Sequence, residues 1–132
     1  MDTPNIQVIA NNSIVNIQVG TSSLVGAGSS LLLTATSASG AIGTTVQSIT
    51  IKSTGTNTLG MIRFFVSNGA NSFLFREVMV PANNQTGVVQ AFSYTISDPI
   101  QLQPNYQLYV STQNSESFNI IAKGKDIISC GC

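Results

Sequence analysis

From about residue 45 onward the chain repeats one pattern: short runs in which apolar and polar side chains alternate with a period of two, each closed by a turn signal. Successive side chains of a strand point to opposite faces, so this alternation predicts half-buried β-strands. In VQSITIK, Ile49 and Ile51 fall on one face, with Ser48, Thr50 and Lys52 on the other. GMIRFFVSN places Ile62, Phe64 and Val66 together, and Asn68-Gly69 then favours a tight hairpin into SFLFREVMVP, which Pro81 ends. Phe92, Tyr94 and Ile96 share the next face, followed by Tyr106, Leu108 and Val110, and then by Phe118, Ile120 and Ala122. A last turn is expected at Lys123-Gly124-Lys125-Asp126, before Ile127-Ile128. Strands at this spacing, with no capped helical stretch, predict an all-β fold: an antiparallel, jelly-roll-like β-sandwich spanning 31–132.

The first 44 residues read differently, with residues 1–30 as the N-terminal part in question. Ile6–Ile9 and Ile14–Val19 are short strand candidates, followed by the small, flexible TSSLVGAGSS and then by the apolar LLLTAT. Two readings stand: edge strands of the same sandwich, or an extended arm that pairs with a neighbouring subunit by strand addition. On either reading Ile6, Val8, Ile14 and Val15 are candidate interface residues.

Polarity comes mostly from neutral groups. Only 8% of residues are charged, and five basic residues balance five acidic ones, while Ser, Thr, Asn and Gln exceed a third of the chain. A surface with so little self-repulsion favours association. Lys52, Arg63, Arg76, Lys123 and Lys125 are scattered, so no nucleic-acid partner is expected. No apolar run approaches the ~20 residues of a helical membrane span, and MDTPNIQVIANN lacks the basic-then-apolar order of a secretory signal.

Candidate chemistry is sparse. The sequence has no His, which removes the usual base of serine and cysteine hydrolases and the usual zinc ligand. Cys130 and Cys132 are too close in sequence for an ordinary bridge, and read as a tail with free thiols or as an interchain contact. GAGSS at 26–30 lacks the Lys and the helix of a phosphate loop and reads as a hinge. Of the carboxylates, Glu77 follows Arg76 within a strand and so faces the other way. Asp98 precedes Pro99 in a turn, and Glu116 lies in a polar loop. No catalytic pair, cofactor or metal is expected from these residues. Arg63 and Arg76 sit among Phe64, Phe65, Phe73 and Phe75, with Arg63 expected opposite Phe73–Phe75. Such a composition suits either an interface or the cover of a sandwich face.

Two segments carry a resemblance. ITIKSTGTNTLGMIRFFVSNGANSFLFREVMV (49–80) and LQPNYQLYVSTQNSESFNIIAKGKD (102–126) are similar to small structural proteins of tailed-bacteriophage genomes. Those share an I-x-I-K-[AS]-T strand, G-M-[IV]-R-[LF]-F, an (N/D)-G turn, and later L-x-P-x-x-Y-x-L-x-x-S-T-x-N-x-E-x-F-N. The resemblance covers about two-thirds of the chain and leaves the N-terminal 30 residues and the CGC end outside. It implies a non-enzymatic virion component, a decoration protein that stabilises a capsid and is assembled in the host cytoplasm. Its partners would be capsid or other virion proteins and further copies of itself. The alternative is a tail or fibre module that binds a cell-surface glycan.

Overall fold

The computed structural model describes the backbone of residues 5–130 and, within it, every side chain except those of residues 5–7, 9–11 and 130. Nine strands and no helix are found among the described residues: β1 (Asn5–Ile17), β2 (Ser30–Thr34), β3 (Ala41–Ser53), β4 (Gly60–Ser67), β5 (Ser72–Val80), β6 (Ser93–Ile96), β7 (Ile100–Leu102), β8 (Gln107–Thr112) and β9 (Phe118–Cys130). They form two antiparallel sheets packed face to face. One has the order β1-β9-β3-β6, with β7 also on β3, and the other the order β2-β8-β4-β5. With β6 and β7 taken as one interrupted strand, this is the strand order of a jelly roll, within the all-β sandwich class expected from the sequence. Ile51, Ile62, Phe64, Leu108, Val110 and Ile120, from both inner faces, are almost fully buried and centre the core.

Three local expectations are corrected. The N-terminal segment forms one 13-residue strand rather than two short ones, paired with β9 of the same chain from Asn5↔Cys130 to Ile17↔Phe118. The turn expected at Lys123–Asp126 is absent, and β9 runs straight through it. Gly124 is there for close approach, not for a bend: a side chain at 124 would collide with the Thr45 carbonyl of β3. The β3 register shifts beside it, between Val46 and Ser48, a bulge with Gln47 as its extra residue. In the third correction, Arg63 pairs with Glu77 and not with Phe73–Phe75. The hairpin loop holds four residues between the Ser67↔Ser72 pair, and β5 bulges at Phe75, so counting from a two-residue turn gives the wrong register.

Between β1 and β2 the chain crosses the outside of the second sheet as a strap. Gly20 bridges to Thr112, and the Thr21 N–H donates to the Thr112 carbonyl at 2.7 Å. Gly26, at φ +87°, rests against Ser72 and Phe65. The Ser23 hydroxyl accepts from the amides of Val25 and Ala27, and that of Ser29 donates to the Gly26 carbonyl, so the strap holds its own shape. Phe65 projects outward from β4 yet is fully buried, in contact with this strap.

Candidate interaction surfaces

The six candidate interface residues separate into three places. Ile6, Val8, Ile14 and Val15 all lie on β1, which occupies the edge of its sheet. The side chain of Ile6 lies outside those described. Val15 faces inward and packs on the core. Val8 and Ile14 face outward, 54% and 71% exposed, beside Ile127 and Ile121 of β9. Among the four edges, β1 is unusual. It has 13 residues, no register shift against β9, and no charge or proline in NIQVIANNSIVNI. The opposite edge is split into β6 and β7, of four and three residues; β2 has five, and β5 carries Arg76 and Glu77 and is bulged. Open strand edges are ordinarily blunted by charge, proline, bulges or shortness. β1 has none of these guards.

Arg63 lies on the outer face of the second sheet. Its Nε donates to Glu77 at 3.0 Å, its side chain is 11% exposed, and Nη1 has no hydrogen-bond partner among the described residues. Ser111, directly across on β8, is fully buried, and its Oγ also lacks a partner. Arg63 is therefore a largely covered residue of this sheet face.

Arg76 projects to the other side of β5, at the lateral opening between the sheets. Its Nη1 donates to Asp98 at 2.7 Å, joining β5 to the β6–β7 connection. The Asp98 carboxylate, with Tyr94 adding to it, holds the guanidinium above the ordinary arginine range, so Arg76 stays cationic at any working pH. Tyr94, expected in the core, is 43% exposed here because β6 is an edge strand and its inward side chains reach the opening. Phe73 and Phe75 are exposed on the facing strand, Phe75 with its ring 6.3 Å from that of Phe64.

The remaining polar groups have local roles. Glu116 accepts from the Thr58 amide and hydroxyl, and Asp126 accepts from buried Thr44 at 2.7 Å. Leu59, Met61, Met79 and Gln113 line a shallow groove of about 260 Å³ on the second sheet. Cys132 lies outside the described residues, as does the Cys130 side chain. The open β1 edge and the Arg76–Tyr94 seam carried partial sequence signals. The strap that covers Phe65 carried none, since Phe65 reads as a simple break in alternation. No known protein-family model matches the chain, and no curated protein matches it either.

Proposed function

We propose that this chain is a non-enzymatic structural protein of a virion, an auxiliary or decoration protein that attaches to a phage capsid in several copies and stabilises it. The observation that carries the reading is the open, uncharged 13-residue edge of β1. An edge of that length can accept a further strand through main-chain hydrogen bonds, and its exposed Val8 and Ile14 supply side-chain contact. The near-neutral surface and the resemblance to tailed-phage structural proteins favour the same setting, and the jelly roll is a fold used in viral shells. No cofactor, membrane or nucleic acid enters this function.

The test is to purify particles from lysates of cells that make the chain and to quantify it by mass spectrometry against the major shell protein. A fixed ratio between preparations, retained on density-gradient centrifugation, supports the proposal. Recovery only in the soluble fraction overturns it.

A second reading draws on the exposed Phe73, Phe75 and Tyr94 beside the Arg76–Asp98 pair. Aromatic faces next to a charged hydrogen-bonding pair suit a sugar ring, as a tail or fibre module requires. A glycan array separates the two, and Tyr94→Ala should abolish any signal that belongs to this seam.

A further inference from the structure

The assembly reading leaves open what pairs with β1. We infer that the partner is a second copy of this chain, joined β1 to β1 in one antiparallel register centred on Asn11. This inference rests on the proposed assembly role and specifies its first contact.

Symmetry restricts the choice. In a two-fold antiparallel pairing with the axis normal to the sheet, the axis passes midway between one residue and its own copy, and these two stand directly opposite. Asn11 is the midpoint of Asn5–Ile17, so only this centre uses the whole strand. Val8 and Ile14 are also equidistant from Asn11 and both face outward. In this register, therefore, Ile14 stands opposite Val8 of the partner subunit. Full overlap and apolar matching select the same alignment independently.

The neighbouring strand extends the match. Within each copy Ile14 is paired with Ile121, and Val8 with Ile127. The joined sheets would carry an unbroken outer row from Ile121 through Ile14 to Val8 and Ile127 of the partner subunit, repeated by the two-fold axis. Directly opposite apolar side chains on one face are the stabilising unit of a sheet. No like charges meet, because β1 has none. Both bodies lie on the same side of the joined sheet, away from this row.

The experiment uses the full chain with Cys130→Ser and Cys132→Ser as background, adding Val8→Cys, Ile14→Cys or Asn11→Cys singly. Under mild oxidation, Asn11→Cys should give disulfide dimers, since the two positions 11 face each other. An equal mixture of the Val8→Cys and Ile14→Cys proteins should cross-link to each other, and neither alone, because positions 8 lie roughly 20 Å apart in this register. Sedimentation of the unsubstituted chain should show a dimer, and Ile14→Lys should raise its dissociation constant at least tenfold. A monomer at 100 µM, or equal cross-linking of Val8→Cys alone, overturns the inference. A monomer still found on purified particles would overturn this pairing and leave the assembly role standing. A dimer in this register that is absent from particles would do the reverse.

Discussion

Thr45 and Gly124 approach so closely across β3 and β9 that the Thr45 carbonyl oxygen takes the space a β-carbon at position 124 would need. The β3 bulge at Gln47 lies beside this contact, and the absence of a side chain on Gly124 admits the carbonyl. A residue that looks like the centre of a turn thus keeps a 13-residue strand continuous.

Gly124→Ala reverses the usual sign. In an ordinary strand interior the change stabilises by roughly 0.5–1 kcal/mol. Here the new methyl meets backbone that cannot rotate away, and a loss of about 3 kcal/mol is expected. Thermal unfolding should fall by about 10 °C. An unchanged or raised midpoint would contradict the close approach.

Glu77→Ala leaves the covered Arg63 guanidinium without its carboxylate and should cost about 1–3 kcal/mol in urea unfolding. Replacing both residues together, Arg63→Met with Glu77→Met, should recover most of that loss. The pair is measured as a double-mutant cycle, and a coupling energy near zero would show that the ion pair is incidental.

Ser111→Ala should be neutral, or stabilising by up to about 1 kcal/mol, because it removes a buried hydroxyl with no partner among the described residues. A loss of stability instead would mean that the hydroxyl is bonded, for example through water.

Gly26→Val combines a strained positive φ with a collision against Ser72, whose Cβ lies 3.0 Å from the position of the added carbon. The strap over Phe65 should loosen, at a local cost of about 1–2 kcal/mol. Hydrogen exchange at the Thr21 and Ser29 amides should quicken while β3 and β9 keep their protection. Uniform loss of protection across both sheets would show instead that the strap is integral to the whole fold.

What the sequence reveals follows from what side-chain alternation can encode. Period alone puts Ile49, Ile51, Ile62, Phe64, Leu108, Val110, Ile120 and Ala122 on inner faces, and all are buried. Period says nothing about register, so counting from the turn sets Arg63 opposite Phe73–Phe75, whereas the four-residue loop and the bulge pair it with Glu77. Nor does it distinguish a glycine that bends a chain from one that lets another strand come close, the difference at Gly124. Tyr94 shows a further limit: alternation identifies the inward face but not whether the strand lies at the margin of its sheet. For the candidate surfaces, composition picked out β1, but its place as an edge depends on pairing to β9, a contact about a hundred residues away in sequence.

That pairing has a consequence for how the molecule is made. β9 lies between β1 and β3, and every other strand among the described residues precedes it in the chain. While the ribosome is still adding β9, β1 has no partner and its uncharged backbone is open to any neighbouring strand. The sheet can close only after synthesis has passed residue 130, through contacts of high sequence separation that form slowly. On a crowded polysome, nascent chains of this protein are therefore exposed to one another through β1 before they can fold alone.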